Sequence, residues 1–419
     1  MKVLVLGAGV TGLSVAYQLA KGGHQVSVLD QHPDVGQGAS YANGGQLSYS
    51  YVTPLASPKT LAALPALIFG ADAPMRVHPR LDPHQWSWAA QFIAACTDQR
   101  SRSTIQSLLA LTSTSRQALA ELVASEGLNF NLTSSGKLLI FADDGGFKRA
   151  RALAVYQARF GCEQQALSRK ECLALEPSLG QLSKPLVGGI FTPTDQTGDC
   201  HLFCRALQRV LTDRYAVEMV LGSKLKALRP KDGRIVAAIT EIGDIEADAY
   251  VLCLGMGSRA IVKPLGFDLP ILGLKGYSLT LPVLSDAAPR ISITDTAQRV
   301  VYARLGQRLR VAGIADVDSR EDFVRSARVR QLQRQARANF QSGLDHERAE
   351  VWTGTRPVTP TGLPIVGRSN VSNLFLNVGH GALGFTLAMA TAKLAADHVS
   401  AAKPVASMGS ARRFRDPNP

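Results

Sequence analysis

The chain has 419 residues, 46% of them hydrophobic, and a formal net charge of +13 at pH 7. This length predicts two or three domains with substantial cores, and six cysteines in so long a chain exclude a disulfide-stapled scaffold. The basic excess is compatible with nucleic acids, anionic lipid surfaces or acidic small molecules, but the basic residues are scattered. Their one cluster, at residues 325–337, is interpreted as a solvated helix face, so no nucleic-acid partner is expected.

The sequence shows no targeting or anchoring segment. Met1 leads directly into an apolar strand pattern, so no signal peptide is predicted. No apolar run reaches the ~20 residues of a transmembrane helix. The cysteines form no C-x-x-C pair and no zinc-site spacing, which favours buried thiols in a reducing compartment and predicts no metal site. We therefore expect a cytoplasmic protein.

The amino terminus begins with a strand followed by glycines. Residues 3–6 are a short apolar run, β-branched in part, which predicts a buried parallel strand. Gly7, Gly9 and Gly12 then form G-x-G-x-x-G. In that motif the glycines allow a tight turn, close approach of the backbone to a pyrophosphate, and close packing of a helix on a strand.

The residues after the glycines complete a nucleotide-binding unit. Helical periodicity over residues 13–19 and a second strand over residues 25–29 lead to Asp30, placed to hold a ribose hydroxyl. These features stand in the required order, which predicts a Rossmann-type βαβ unit with phosphates at a helix amino terminus. The alternative is a glycine-rich turn that binds nothing. The motif serves both NAD and FAD.

Residues 38–48, GASYANGGQLS, bear on the choice between the two cofactors. A nicotinamide enzyme usually continues with another helix and strand, whereas this polar segment can run back along a pyrophosphate toward a flavin ring. Ser40 and Asn43 offer short hydrogen-bonding side chains, and Gly44 and Gly45 let the backbone lie against a flat ring. An ordinary surface loop is the alternative.

Two later segments repeat the pattern of a strand followed by glycines. Residues 247–257 contain a short apolar strand that ends in glycines, and residues 374–386 contain a strand, a glycine-rich turn and the start of a helix through Leu394. A helix amino terminus at that place supports negative charge on the pyrimidine side of a reduced flavin. One cofactor reached by the start, middle and end of a chain indicates a bound flavin rather than a diffusing nicotinamide.

These segments carry a family resemblance. The stretches VLGAGVTGLSVAYQLAKGGHQVSVLD, ANGGQLS, QTGDC, LKGYSLTL, WTGTRPVTPTGLPIVG and GHGALGFT run from residue 3 to residue 386. Together they resemble the FAD-dependent D-amino-acid oxidase superfamily, and within it the small subunits of bacterial D-amino-acid dehydrogenases. The chain reads SYANGGQ where such proteins read closer to SAANAGQ, and GTRP where they read GLRP, and both departures fall near the expected flavin site.

The resemblance implies an α/β fold, α+β overall, in which a Rossmann-type FAD-binding domain is interleaved with an antiparallel-sheet substrate domain. The expected segments are, for the FAD-binding domain, 1–80, 160–262 and 346–403, for the substrate domain, 81–159 and 263–345, and for a tail, 404–419. FAD, held without a covalent link, is the implied cofactor. The residues expected to contact it are Gly7, Gly9, Gly12, Asp30, Ser40, Asn43, Gly44, Gly45, Gln46, Gly255, Gly379, His380, Gly381 and Gly384.

Two residues are expected at the substrate. Arg356 stands in TGTRPVTPTG without a neighbouring acid, and a forked guanidinium is the usual partner of a planar carboxylate. By resemblance to the arginine of the G-x-R-P stretch, Arg356 binds the substrate carboxylate over the flavin, with a structural ion pair as the alternative. Tyr277 is expected to donate its hydroxyl to the same carboxylate, with a core aromatic as the alternative. Tyr302 and Arg304 are expected to be structural.

The implied reaction is the oxidative deamination of D-amino acids. A hydride passes from the carbon bearing the amino group to the flavin, and water converts the imino acid into a 2-oxo acid and ammonia. A glycine-, sarcosine- or hydroxyproline-type amine oxidase or dehydrogenase would carry the same motifs. A non-catalytic or RNA-modifying flavin-fold protein and an NAD-dependent dehydrogenase are the alternatives of other classes.

The dehydrogenase resemblance also implies an electron acceptor in the respiratory chain. The charge of +13 and the apolar run at residues 60–70 fit peripheral contact with the inner face of the cell membrane. A core or capping helix is the competing interpretation of that run. The preferred amino acid, the choice between oxygen and a quinone, and the oligomeric state stay open.

Overall fold

The computed structural model describes residues 1–50, 52–70, 73–317 and 324–402. Its strands are β1 (Lys2–Leu6), β2 (Gln25–Asp30), β3 (Gln46–Leu47), β4 (Met75–Val77), β5 (Lys137–Phe141), β6 (Gln165–Ser168), β7 (Gly188–Thr192), β8 (Gln196–Thr197), β9 (Glu218–Leu221), β10 (Leu225–Lys231), β11 (Arg234–Thr240), β12 (Asp244–Ile245), β13 (Ala249–Leu252), β14 (Leu272–Pro282), β15 (Ser292–Asp295), β16 (Val300–Leu305), β17 (Arg308–Val317), β18 (Glu350–Val358), β19 (Ile365–Arg368) and β20 (Leu374–Val378). Its helices are α1 (Val10–Lys21), α2 (Pro58–Ala62), α3 (Leu64–Phe69), α4 (Pro83–Ala95), α5 (Asp98–Glu126), α6 (Asp144–Ala158), α7 (Arg169–Leu175), α8 (Cys200–Tyr215), α9 (Ser258–Val262), α10 (Ser326–Asn339) and α11 (Gly384–Ser400).

A six-stranded sheet contains the predicted amino-terminal unit. Its order is β19-β20-β13-β1-β2-β9, and every pair from β20 to β9 is parallel. Val3 and Val5 of β1 share a core with α1, α8 and α11, whereas Leu4 and Leu6 pack with residues of β10 and β11. Both faces of β1 are therefore covered, which explains why its sequence is apolar without alternation. The strand–helix–strand prediction is confirmed.

The two later strand-and-glycine segments join the same sheet. β13 pairs with β1, and β20 pairs with β13, so their carboxyl ends reach one edge of the sheet. Ligands of open α/β sheets bind at that edge. Helix α11 continues beyond the predicted end at Leu394, because Ala395, Ala396 and Val399 extend its buried face.

A second, nine-stranded sheet is mostly antiparallel. Its order is β18-β14-β17-β16-β15-β5-β7-β6, with β4 paired to β17 in addition. The ladder between β14 and β17 shifts register, since Gly276 pairs with Ala315 while Tyr277 pairs with Gly313. Ile314 is left as the additional residue of a bulge and has a φ of 53°, which is strained for a β-branched residue. The bulge changes which residues of β17 face each side of the sheet.

The composition of this sheet bears on the expected domain segments. Strands β4, β6, β7 and β18 fall in segments assigned to the FAD-binding domain, yet they pair within the nine-stranded sheet. Strand pairing joins residues far apart in the chain, which apolar patterning does not reveal. The division into two domains stays a prediction, and the predicted tail at residues 404–419 lies outside the described residues.

The basic cluster at residues 325–337 forms most of α10 and is only partly solvated. Arg330, Arg334 and Arg337 are exposed as predicted. Arg328, however, is buried, and its Nη2 donates to Asp316 Oδ1 at 2.8 Å. The interpretation of the whole cluster as a solvated face was therefore wrong for Arg328, whose charge is neutralised inside the protein.

The apolar run at residues 60–70 forms α2 and α3. Leu61, Leu64 and Leu67 pack in one cluster with Trp88 and Phe92 of α4. This packing agrees with the core interpretation of the run. Across the described ranges, none of the helices has the length and apolar character that crossing a membrane requires.

Candidate active site

A cavity of about 1210 Å³ is lined by residues of both large sheets. Small-molecule pockets typically measure about 300–1,000 Å³, so this one has room for a dinucleotide. Its walls contain residues from the start, middle and end of the chain, as predicted.

The glycine motif shapes one end of the cavity. Gly7 has a φ of 112°, and a Cβ there would lie 2.6 Å from the carbonyl oxygen of Cys253. A Cβ on Gly12 would lie 1.8 Å from the carbonyl oxygen of Gly7, so only glycine allows α1 to approach this closely. Gly9 is the N-cap of α1 and has no side chain of its own to cap the helix. The amino terminus of α1 therefore presents backbone N–H groups to the cavity, an arrangement that holds a pyrophosphate.

Asp30 and Ser40 are fixed beside this helix terminus. The backbone N–H of Ala8 donates to Asp30 Oδ2 at 2.7 Å, and that of His32 donates to Oδ1 at 2.9 Å. The N–H of Val10 donates to Ser40 Oγ at 3.0 Å. Both side chains line the cavity, and the ribose contact of Asp30 stays a prediction.

The predicted flavin segment makes a turn that is tied to the nine-stranded sheet. Asn43 Oδ1 accepts a hydrogen bond from the N–H of Gly45 at 3.0 Å, and Arg310 Nη1 donates to the Asn43 carbonyl at 2.7 Å. Gly45 has a φ of 65°, and a Cβ on Gly44 would lie 3.2 Å from Val301 Cγ2. Glycines at these positions therefore satisfy both the turn and its close contacts.

Gln46 extends this connection. Its Nε2 donates to Ser292 Oγ at 2.7 Å and to Thr294 Oγ1 at 3.2 Å, both on β15. The side chain still lines the cavity. The segment predicted to face the flavin is thus a bridge between the two sheets rather than a surface loop.

The carboxyl-terminal part of the cavity is formed around His380. Its Nε2 lies 2.9 Å from Thr391 Oγ1, and burial lowers the pKa of the imidazole to about 4. The ring is therefore neutral at pH 7. The other predicted cofactor residues of the middle and end of the chain also line the cavity: Gly255, Gly379, Gly381 and Gly384.

Arg356 lies on β18 with its guanidinium against Gly276 of β14. A Cβ on Gly276 would lie 2.8 Å from Arg356 Nη2, so this glycine makes room for the fork. The guanidinium lines the cavity and makes no hydrogen bond or ion pair with any residue that the structure describes. Burial lowers its pKa, but an arginine remains protonated at neutral pH. The arrangement is a charged fork in the cavity without an anionic partner among the described residues.

Tyr277 does not meet the expectation. Its hydroxyl donates to Asp316 Oδ2 at 2.9 Å, and Asp316 is also held by Arg328. Burial, with Asp316 as a further cause, raises the pKa of the phenol. The residue does not line the large cavity but packs in the core beneath α10. The prediction that its hydroxyl faces the substrate is wrong, because neighbouring residues of a strand point to opposite faces and Gly276 takes the cavity side.

Tyr302 and Arg304 have structural roles, as expected. The Tyr302 hydroxyl accepts a hydrogen bond from Asn339 Nδ2 at 2.9 Å, and its ring packs edge-on against Phe340. Arg304 Nε donates to the carbonyl of Gly306 at 3.0 Å. Both interactions stabilise the sheet outside the cavity.

Lys137 and Trp352 are among the residues of the cavity wall that sequence reasoning missed. Lys137 begins the apolar run KLLIF. A charged residue at the start of a buried strand is unusual and could have marked this position as a functional candidate. Trp352 alternates with Gly354 and Arg356 on β18, which places all three on one face. A Cβ on Gly354 would lie 2.0 Å from the Trp352 ring, so the indole lies over that glycine.

The arrangement fits a bound FAD. The amino terminus of α1, where Gly9 brings no capping side chain, suits the pyrophosphate, Asp30 suits a ribose, and the turn at Gly44 and Gly45 offers flat backbone to a ring system. Arg356 lines the same cavity from β18 of the nine-stranded sheet. No group of His, Cys, Asp and Glu side chains in the described part of the chain could hold a metal ion.

Comparison with known proteins agrees with this arrangement. Residues 2–398 match the family described as FAD dependent oxidoreductase. The chain is 44% identical over 414 residues to the D-amino acid dehydrogenase 2 of Ralstonia nicotianae, with 96% of this chain and 97% of that protein covered. It is 42% identical over 407 residues to the D-amino acid dehydrogenase 2 of Pseudomonas aeruginosa, with 96% of each covered.

A solved structure shares the fold. The crystal structure of glycine oxidase from Bacillus cereus superposes with a TM-score of 0.72 at 18% identity, covering 95% of this chain and 94% of that chain. Identity this low shows the architecture alone. The fold prediction, a Rossmann-type cofactor unit combined with a largely antiparallel sheet, is confirmed.

Proposed function

Because the chain belongs to the family of FAD-dependent oxidoreductases, we propose that it oxidises D-amino acids to 2-oxo acids and ammonia. The observation that carries the proposal is Arg356, a guanidinium in the cofactor cavity with no partner among the described residues. Relatives named D-amino acid dehydrogenase, at 44% and 42% identity, support the substrate class.

In this proposal, Arg356 holds the substrate by its carboxylate. The two parallel N–H···O bonds of such a pair fix the plane of the carboxylate as well as its position. Leu274, opposite Arg356 in the ladder, and Met75 give the cavity apolar walls. Because apolar walls exclude water, the ion pair is stronger there than in solvent. The hydrogen on the carbon bearing the amino group is then oriented by the grip on the carboxylate.

The bound cofactor would supply the acceptor for the two electrons and the proton of the broken C–H bond. The substrate amine must be neutral when its C–H bond breaks, since its lone pair then forms the new C=N bond. His380 is neutral and occupied with Thr391, so it places no positive charge that would oppose the developing iminium. Water then converts the imine into the 2-oxo acid and ammonia.

The proposal is tested by anaerobic mixing of the purified yellow protein with separate D- and L-amino acids. Loss of the flavin absorption with D-amino acids and not with their L-enantiomers is expected. The panel should include glycine, sarcosine and hydroxyproline, because a faster reaction with one of those would reassign the substrate. A flavin that no amino acid reduces would reject the proposal.

For the electron acceptor, we propose a respiratory acceptor reached at the membrane surface. The net charge of +13 favours anionic lipids, and Leu81, Trp86 and Ile93 are 101%, 56% and 49% exposed. Trp86 and Ile93 lie seven residues apart on α4 and so share one face, where an aromatic and an apolar side chain suit an interface. A soluble quinone analogue should therefore reoxidise the reduced enzyme faster than oxygen does.

Membrane contact is tested with vesicles. Co-sedimentation with phosphatidylglycerol vesicles and not with phosphatidylcholine vesicles is expected, and the double variant Trp86→Ser, Ile93→Ser should weaken it. Val155→Ser is the matched control, because Val155 is 69% exposed on another helix. Equal sedimentation of parent and double variant would reject this surface.

A further inference from the structure

Trp352 is a large side chain of the cavity wall to which the proposed function assigns no role. It stands on β18 four residues before Arg356, and Gly354 lies between them on the same face of the strand. A Cβ on Gly354 would overlap with the far edge of the Trp352 ring, at Cη2 and Cζ2. The indole therefore lies across this glycine toward Arg356, in space that any other residue at position 354 would fill.

The guanidinium and the indole lie over two glycines that face each other. Gly276 of β14 is directly opposite Gly354 in the antiparallel ladder. The Arg356 guanidinium lies against the position that a Cβ of Gly276 would take, as the indole does at Gly354. Cβ positions directly opposite each other in such a ladder are about 4.5–5.5 Å apart. The charged fork and the aromatic ring are therefore neighbours on one flat patch of the sheet, within reach of a single small molecule.

Tyr41 supports the indole from the amino-terminal part of the chain. The centre of its ring is 6.4 Å from that of Trp352, with 36° between the two planes. The chain is fixed there because Ser278, opposite Trp352 in the ladder, donates from Oγ to the Ala42 carbonyl at 2.8 Å. Tyr41 is one of the residues at which SYANGGQ departs from SAANAGQ. This departure adds an aromatic contact to the ring that lies beside the guanidinium.

The charges around this patch favour an uncharged ligand side chain. Among the described residues of the cavity wall, the carboxylates are Asp30 and Glu241, and neither belongs to the nine-stranded sheet. Glu350 does belong to that sheet, but it is exposed and lies four residues from Gly354, about 14 Å along β18. A cationic substrate side chain would therefore meet the charge of Arg356 and no carboxylate. An aromatic or apolar side chain would meet the indole.

We propose that Trp352 binds the substrate side chain while Arg356 holds the carboxylate, so that the enzyme prefers D-amino acids with aromatic or large apolar side chains. The inference rests on the proposed function, because it takes the guanidinium as the anchor of a D-amino acid. With the carboxylate fixed about 5 Å from the indole, an aromatic side chain gains most from contact with that ring. Tyr41 is a positioning residue, since it contacts Trp352 and does not line the cavity.

Binding of carboxylates that lack an amino group tests this inference without turnover. 3-Phenylpropanoate and propanoate are phenylalanine and alanine without their amino groups, and the flavin absorption of the oxidised holoenzyme reports their binding. We expect 3-phenylpropanoate to bind at least about tenfold more tightly than propanoate. Trp352→Ala should remove this preference and leave propanoate binding within about threefold of the parent. Tyr41→Ala, which frees the indole to turn, should lower the preference about threefold.

Trp86→Ala is the matched control, because Trp86 is 56% exposed on α4 and does not line the cavity. It should change neither affinity. Equal affinities of the parent for the two carboxylates, or equal weakening of both in Trp352→Ala, would overturn the inference. If Trp352→Ala is purified without flavin, Trp352→Phe takes its place. A preference lowered about threefold is then expected, because the ring is smaller, and an unchanged preference overturns the inference.

Substrate oxidation separates this inference from the proposed function. In steady-state assays, kcat/KM should be at least about tenfold higher for D-phenylalanine than for D-alanine, and lower still for D-lysine. Trp352→Ala should remove the difference between D-phenylalanine and D-alanine. Oxidation of both at rates independent of residue 352 would overturn the inference and leave the proposed function intact. Selective binding of 3-phenylpropanoate without oxidation of any amino acid would reject the proposed function alone.

Discussion

The two walls of the cavity are built by different means. The cradle, formed at the edge of the six-stranded sheet, presents backbone: Gly7, Gly9 and Gly12 bring α1 close to β1 and expose its N–H groups. The roof, formed by the nine-stranded sheet, presents side chains such as Arg356 and Trp352. A wall made of backbone suits a cofactor that is bound in one fixed position. A wall made of side chains can be changed by substitution to fit a particular substrate. Substitutions in the cradle should therefore affect FAD, and those in the roof should affect catalysis with FAD in place.

The largest effect is expected in the cradle. In Gly12→Ala, the new Cβ would lie 1.8 Å from the carbonyl oxygen of Gly7, with no side chain able to move aside. We expect a colourless protein, destabilised by more than about 3 kcal/mol, as measured by flavin absorption and urea unfolding. Gly180→Ala is the control, because a Cβ there meets nothing within 4 Å. A yellow, stable Gly12→Ala protein would contradict the role of the cradle.

In the roof, Arg356→Ala should keep its flavin and lose substrate binding. Truncating one partner of a buried charge pair costs about 2–5 kcal/mol, so kcat/KM for D-amino acids should fall at least about 30-fold. Stopped-flow reduction and flavin content measure the two effects separately. Arg330→Ala, which removes an exposed charge on α10, is the control. Full activity in Arg356→Ala would show that the roof binds the carboxylate elsewhere.

Gly276→Ala sharpens this test, because it displaces the guanidinium without removing it. Its Cβ would lie 2.8 Å from Arg356 Nη2. We expect KM to rise about tenfold with flavin content unchanged, which is about 1.4 kcal/mol of lost binding. An unchanged KM would indicate that the arginine is not held against β14 when substrate binds.

A separate effect is expected from the pH dependence of the cradle. Burial lowers the pKa of His380 to about 4, below the value of about 6.5 for an exposed histidine. The unfolded chain therefore binds a proton that the folded protein excludes, and the stability is complete above pH 6.5 and lost as the pH falls toward 4. By pH 5 the loss should be about 2 kcal/mol. Urea unfolding at pH 7.5 and pH 5 measures it, and His380→Gln, which cannot titrate, should lose less between the two. Equal losses in parent and variant would assign the acid sensitivity to other groups.

The same contrast explains what could be predicted from the sequence. The cradle was predicted well, because the conformations of Gly7 and Gly12 and the position of Asp30 depend on neighbours in the chain. The roof was predicted less well. Which face of β14 Tyr277 occupies depends on the pairing of β14 with β18, which places the Arg356 guanidinium against Gly276, and that pairing is not visible in local alternation. Lys137 was missed because its partner Ser48 lies 89 residues away.

The smallest effect is expected at Tyr277. Tyr277→Phe removes the hydroxyl that donates to Asp316, while Arg328 continues to hold that carboxylate. The free energy of unfolding should fall by about 1 kcal/mol, the net contribution of one buried hydrogen bond. The KM for D-amino acids should stay within twofold of the parent, since the hydroxyl faces the core beneath α10 and not the substrate. Urea unfolding and steady-state kinetics measure the two quantities. A raised KM with unchanged stability would return Tyr277 to the substrate site and overturn the assignment of faces in the roof.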